Sequence, residues 1–343
     1  MRKFKILIIG QGSMGKRRVR CLLNLGYTAS EIFSFDPRED RVSEVEKLYG
    51  IKSFQNFDEA LRVVKPEIFI ISTPPEKHMK YAYFAAENNI SCFIEASVVE
   101  ADKILDLSKI IKKKNILIVP SCTKKFYPAP MAIKKMVKEK LIGNILNINY
   151  QKGQFLPDWH PWENIKDFYV SNPDTGGARE IVPFELVWLN DIFGNPEPLT
   201  CVRKKVTDMD AEIEDIYHFV IEYPKGILAN ITIEVVSRPV DSNYLRILGS
   251  EGIIIFDGQN DFIKFSNLKE NNWKKIHFEN KLDMFNKSET PYINEIKTFL
   301  KSVDNKLNNK KVTFPSSLVE DYNTLKCLHK IEEISEGIEN LMK

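Results

Sequence analysis

Three features of this 343-residue sequence predict an α/β fold: a doubly wound parallel sheet, then an α+β domain with a large, mainly antiparallel sheet. Short apolar runs alternate with stretches of helical period through the first third, the mark of parallel β-α-β units. The first run, Ile6–Ile9, drops into Gly10-Gln11-Gly12-Ser13-Met14-Gly15 and then into a helical pattern. From residue 198 onward, strand signals follow one another across short turns, which indicates antiparallel pairing. The length suits two domains, each with its own core. The boundary falls after residue 122, giving domains 1–122 and 123–343, with the last helix able to pack back on the first.

The opening strand, turn and helix together give the glycines a specific meaning. Gly10 permits the turn, Gly12 lets the backbone approach a pyrophosphate, and Gly15 lets helix and strand pack closely. Ser13 and Met14 begin the helix, whose N-terminal amides and dipole favour phosphate. A strand over 31–36 ends in Asp36, about 20 residues beyond the glycines, where a carboxylate accepts hydrogen bonds from an adenosine ribose. This is a Rossmann dinucleotide site. Asp36 favours NAD because it repels the 2′-phosphate of NADP. Arg38 is either a solvated surface residue or a ligand for that phosphate, so NADP stays open.

The alternation continues with helices over 42–49, stopped at Gly50, and 57–64. A buried strand over 66–73 breaks at Pro74-Pro75. Helix 77–88, strand 91–94, helix 101–113 and strand 116–119 complete the first domain. Helix 132–140 and a half-buried strand over 147–154 open the second. Residues 155–175 hold Trp159, His160, Trp162, Phe168 and Tyr169 with little periodicity; these rings either stack on sugar faces or pack the loop onto its own domain. A long apolar helix over 181–192 stops at Gly194. Strands follow over 198–204, 213–223, 227–236, 244–248 and 253–256, continuing through 262–265 and 273–278. A sheet of this kind needs its outer face covered, and a second copy does that, so a homodimer or homotetramer is expected. An amphipathic helix over 318–342 closes the chain.

Lys and Arg total 49 against 47 acids, so no broad basic field points to nucleic acid or an anionic membrane. Five scattered cysteines lack metal-ligand spacing, which predicts no metal site and a reducing, cytoplasmic compartment. No run is long enough to span a membrane as a helix.

Several landmarks resemble the glucose-fructose oxidoreductase, inositol dehydrogenase and MocA family across nearly the whole chain. Ser72-Thr73-Pro74-Pro75 with His78 is similar to the family's Thr-Pro-x-x-x-His segment beside the nicotinamide. Ser121-Cys122-Thr123-Lys124-Lys125-Phe126-Tyr127-Pro128 is similar to its Gly-Phe-Asn-Arg-Arg-Phe-x-Pro crossover. Leu156-Pro157-Asp158-Trp159-His160-Pro161-Trp162 resembles a loop of members associated with cell-surface sugars, and Gly176-Gly177-Ala178 looks like the start of the family's long helix. The resemblance implies an NAD(P)-dependent oxidoreductase acting on a sugar, sugar nucleotide or related polyol. It places Thr73, Pro74, His78, Glu95, Ala96 and Thr123 beside the cofactor; the chemistry of Lys125, Tyr127, Trp159, Trp162 and Arg179 makes them candidates for contact with a small carbohydrate. For Arg179 the chemistry is either a fork on a carboxylate or phosphate, or an ordinary ion pair.

The family's three usual chemical positions, a Lys, an Asp and a His, are replaced. Its Glu-Lys-Pro is Glu95-Ala96-Ser97 here, and the helix that supplies an Asp and a His has Ile181 and Phe184. Oxidising an alcohol requires a group that takes the hydroxyl proton. Glu180, one turn from Phe184, is the first candidate, with a solvated or ion-paired role as its alternative; Lys124 and His160 are the others. The competing reading of the whole chain is a non-catalytic cofactor- or sugar-binding protein of the same fold.

Overall fold

Ile6–Ile9 forms β1, with every side chain excluded from solvent. Such a strand needs neighbours on both edges and cover on both faces. In this computed structural model, which describes residues 2–159, 161, 164–167, 169–278 and 289–341, those neighbours are parallel. β2 (Ile32–Phe35), β3 (Lys52–Phe54), β4 (Ile68–Ile71), β5 (Ser91–Ile94) and β6 (Ile118–Pro120) join β1 in the order β3-β2-β1-β4-β5-β6. All five pairings are parallel. The order reverses between β1 and β4, and the carboxyl ends of strands at such a switch point form a ligand crevice.

The connecting helices are α1 (Ser13–Asn24), α2 (Glu39–Tyr49), α3 (Phe57–Val64), α4 (His78–Glu87) and α5 (Ala101–Ile111). Local chemistry sets their ends. Gly50 takes a left-handed conformation (φ 65°) after α2, and the Asn56 side chain caps α3 by accepting from the Glu59 amide. Phe57 then packs edge-on against Phe69, Tyr81 and Phe84. β3 was not anticipated because three residues are too few to display a period.

The second sheet begins after α6 (Pro128–Lys138) with β7 (Ile145–Gly153); α7 (Gly177–Phe193) follows. Then come β8 (Glu197–Lys204), β9 (Ile216–Tyr223), β10 (Ile227–Glu234), β11 (Ser242–Gly249), β12 (Gly252–Asp257), β13 (Phe262–Asn267) and β14 (Lys274–His277). Their order is β14-β13-β12-β11-β7-β10-β9-β8. The sheet is mixed, because β7 and β10 run parallel while their other neighbours are antiparallel. Burial alternates along β9 and β10, as period two requires when one face is covered. Tyr217, Phe219, Ala229 and Ile231 lie on the covered face; Val202, Leu228 and Tyr244 are exposed on the other.

α8 (Glu289–Leu307) and α9 (Leu318–Leu341) complete the described chain. Two compact units result, Met1–Phe126 with Leu282–Tyr322, and Tyr127–Lys281 with Asn323–Lys343. A single cut at residue 122 therefore differs from this partition. α8, which the sequence reading did not assign, returns to the first unit because Arg20 of α1 pairs with Glu289 and Phe93 of β5 meets Phe299. Among the described residues no helix is long and apolar enough to cross a membrane, and no group of three metal-ligating side chains occurs. All five cysteines are buried thiols.

Candidate functional site

The glycine turn sits where β1 meets α1. Gly10 has φ 93°, and a Cβ there would lie 2.6 Å from the Ser72 carbonyl oxygen. A Cβ on Gly15 would lie 2.0 Å from the carbonyl oxygen of Gly10, so close packing requires glycine at both positions. Gly12 differs: among the described residues its Cβ would meet only an Arg41 guanidinium nitrogen at 3.8 Å, leaving open space above the backbone. Gly12 also caps α1 without a side-chain acceptor, so the first-turn amides of Ser13, Met14 and Gly15 remain available to an anion. Asp36 is 2 % exposed, and its carboxylate accepts from the Gln11 amide (2.7 Å) and the Arg38 amide (3.0 Å). The Gln11 side chain is fully buried, yet its amide nitrogen and oxygen have no hydrogen-bond partner among the described residues. An open glycine cradle, a fixed acid and orphaned polar atoms fit a dinucleotide.

Arg38 turns away from this site and forms a two-point pair with Asp40 at the surface. The 2′-phosphate option raised for Arg38 is thus not supported by its side-chain placement.

The carboxyl ends of β4, β5 and β6 are tied together from below. The buried His78 ring faces the Thr73 carbonyl oxygen through Nε2 (2.8 Å) and the Ser97 hydroxyl through Nδ1 (3.2 Å). A carbonyl can only accept, so Nε2 carries the proton; burial, opposed by that carbonyl, holds His78 below its ordinary pKa and so neutral. Pro74 starts the turn into α4, Thr73 keeps a buried hydroxyl with no partner among the described residues, and Ala96 is half-buried with no polar side-chain atom. Glu95 receives two hydrogen bonds from Arg18 (2.6 and 2.9 Å). The same guanidinium lies 3.0 Å from Glu295 of α8, which accepts from the Ser121 hydroxyl, the Cys122 amide and the Thr123 hydroxyl. Burial pushes Glu295 above the usual carboxylate range, against the pull of Arg18.

Several candidates are therefore engaged in the scaffold. The Thr123 hydroxyl serves Glu295, not an open site. The Lys125 side chain, 4 % exposed, donates to the Pro315 carbonyl oxygen and approaches Glu320. Arg179 is held by Glu332 (2.7 and 3.4 Å) and the Asp174 carbonyl, the arrangement its ion-pair alternative describes. Lys124 and Tyr127 lie half-buried in and after the turn that follows β6. His160 and Trp162 lie outside the described residues. Trp159 is half-buried, with its indole N–H enclosed and unpartnered among the described residues.

In the second unit Glu180 stands in the first turn of α7. Its Oε1 accepts the Tyr169 hydroxyl at 2.7 Å, while Oε2 is enclosed without a hydrogen-bond partner among the described residues. Burial raises its pKa to about 7, opposed by the Tyr169 hydrogen bond. Ile181 and Phe184 occupy the next positions of the helix with no ionisable group. Glu185, buried, accepts from the Tyr150 hydroxyl (2.7 Å) and the Trp188 indole (2.8 Å), linking α7 to β7. Sequence reasoning had not paired Tyr169 with Glu180 and had passed over Arg18, Arg41 and Glu295. An arginine amid the apolar pattern of α1 was the available signal for Arg18.

Residues 4–120 match the oxidoreductase family with an NAD-binding Rossmann fold, and residues 131–255 match the Gfo/Idh/MocA C-terminal domain. A curated relative, 2,7-anhydro-N-acetylneuraminate hydratase of Escherichia coli K12, is 23 % identical over 261 residues, covering 74 % of this chain and 67 % of that protein. An oxidoreductase from Agrobacterium radiobacter, solved with NAD+, L-tartaric acid and magnesium, superposes with a TM-score of 0.82 at 12 % identity, covering 98 % of this chain and 97 % of that one. Myo-inositol 2-dehydrogenase from Lactobacillus plantarum gives 0.78 at 15 % identity, with 98 % of each chain covered. At these identities the likeness is one of fold.

Proposed function

We propose that this chain, which belongs to the Gfo/Idh/MocA oxidoreductase family, is an NAD-dependent oxidoreductase of a sugar, sugar nucleotide or related polyol in which Glu180 carries proton transfer. The observation that carries this reading is the enclosed Glu180 carboxyl, held by Tyr169 and raised to about 7. A general acid–base works best with its pKa near the working pH. Bound NAD supplies a hydride acceptor, and NADH a donor. The amides of Ser13, Met14 and Gly15 would hold its pyrophosphate and Asp36 its ribose, with the Thr73-Pro74 and Glu95-Ala96 segments toward the nicotinamide. Glu180 as carboxylate takes the proton of the reacting hydroxyl, and as acid returns it to the carbonyl in the reverse direction. Tyr169 keeps the carboxyl in place. Trp159 and Trp162 supply ring surface to the sugar, while Lys124 and His160 are the remaining candidates for the proton. The names of relatives support the substrate class: an anhydro sugar acid in one, myo-inositol in another.

A second copy laid on the exposed sheet face makes a homodimer or homotetramer, and the buried thiols suit the cytoplasm. A role in cell-surface carbohydrate metabolism rests on the loop over 156–162. Ala96, Ile181 and Phe184 favour the second reading, a binding protein without turnover.

The test is redox exchange. Protein loaded with NAD or NADH is mixed with a panel of sugars, sugar nucleotides and polyols while nicotinamide absorbance is followed. Turnover is expected in the native chain, with a pH–rate limb near 7. Glu180→Gln should retain the dinucleotide and lose about 10²–10⁴ in rate together with that limb. Native protein that holds NADH without ever exchanging hydride with the panel establishes the binding-protein reading instead.

A further inference from the structure

Arg41 of α2 faces the glycine turn. Its Nη1 lies 3.5 Å from Asp36 Oδ2, and 3.8 Å from where a Gly12 Cβ would stand, so it walls the open space over Gly12. Its side chain is 32 % exposed, and its guanidinium donates no hydrogen bond among the described residues. Two neighbouring cations are already committed: Arg38 to Asp40, and Lys16 to Glu44 at 2.8 Å. Asp36, meanwhile, is fixed by two backbone amides and directed to the same place.

On the reading that this edge binds a dinucleotide, we propose that Arg41 and Asp36 form a charge-balanced subsite that accepts the 2′-phosphate of NADP as well as the free 2′-hydroxyl of NAD. A carboxylate alone repels a ribose 2′-phosphate. A guanidinium within 3.5 Å of that carboxylate offsets the repulsion and offers a fork of N–H donors matched to phosphate oxygens. Arg41 needs no rearrangement of the backbone to act, because the space beside it is open. With a 2′-hydroxyl bound, Asp36 accepts from the ribose and Arg41 remains in solvent contact. With a 2′-phosphate bound, Arg41 takes the phosphate charge. Arg38, nearer in sequence to Asp36, is the residue that sequence spacing selects; its two-point pair with Asp40 is what leaves the role to Arg41.

The test is calorimetric binding of 5′-AMP and 2′,5′-ADP, which report the adenosine end without turnover, with NADH and NADPH fluorescence titrations alongside. The native chain should bind both members of each pair. Arg41→Gln should weaken 2′,5′-ADP and NADPH by about tenfold to a hundredfold, the range of charge-assisted hydrogen bonds. It should change 5′-AMP and NADH by less than about threefold. Arg41→Lys, which keeps the charge and loses the fork, should fall between. Native protein that binds NADH and rejects NADPH, or an Arg41→Gln variant that keeps the native ratio of the two, overturns the subsite and leaves the dinucleotide reading intact. A native chain that binds neither NADH nor NADPH overturns both.

Discussion

Replacing Arg18 by Met tests how the nucleotide-binding edge is held. The native guanidinium is fully buried, makes two hydrogen bonds to Glu95 and lies 3.0 Å from Glu295. It also stacks over Phe93 at 4.6 Å and Tyr292 at 5.1 Å. Met conserves much of the apolar contact and removes only the charge and its donors, leaving two carboxylates without their cation. Breaking a buried pair from one side costs about 3–5 kcal/mol. The loss depends on pH in a defined direction. Without Arg18 the folded-state pKa of Glu295 rises further above the unfolded value, so the folded chain binds a proton that the unfolded chain does not, and stability falls as pH rises through the folded pKa. Glu295 already starts above the ordinary range. Urea denaturation at about pH 5 and about pH 8 should therefore show a small penalty in acid and the full penalty in base. Adding Glu295→Gln to Arg18→Met should restore part of the loss, with a coupling of about 0.5–3 kcal/mol. A penalty below about 1 kcal/mol at pH 8, or one independent of pH, would refute the view that this cluster is a desolvated charge pair.

Two further outcomes follow from the geometry. Gly15→Ala places a Cβ 2.0 Å from the Gly10 carbonyl oxygen, both on the backbone, so the turn must shift; a loss of about 1–3 kcal/mol by thermal denaturation is expected, with NADH fluorescence enhancement abolished. Arg179→Ala leaves Glu332 without its 2.7 Å donor and should cost about 1.5–3 kcal/mol in urea while NADH affinity stays native. Unchanged stability with lost carbohydrate binding would return Arg179 to the clamp role.

The difference between Gly15 and Arg179 shows why one was legible in the sequence and the other ambiguous. Gly15 acts on a residue five positions away, through a turn whose spacing is itself the signal. Arg179 acts on Glu332, 153 positions away, and nothing in its neighbours distinguishes an ion pair from a ligand clamp. The same holds for Lys125, which closes on Pro315, 190 positions later. Tyr169 and Glu180 are eleven residues apart, yet their contact crosses from an irregular loop to a helix, where no period links the two.

By itself the sequence determined the alternation of strands and helices, the glycine turn, Asp36 and the start of the antiparallel run, because these follow from backbone sterics and short-range periodicity. It also determined that Ala96, Ile181 and Phe184 cannot move a proton. Tertiary structure alone decided that α8 returns to the first unit, that Arg18 gathers Glu95 and Glu295, that Arg41 and not Arg38 faces Asp36, and that Glu180 is enclosed beside Tyr169. Those outcomes depend on desolvation and on which distant charges meet, quantities that exist only once the chain has packed.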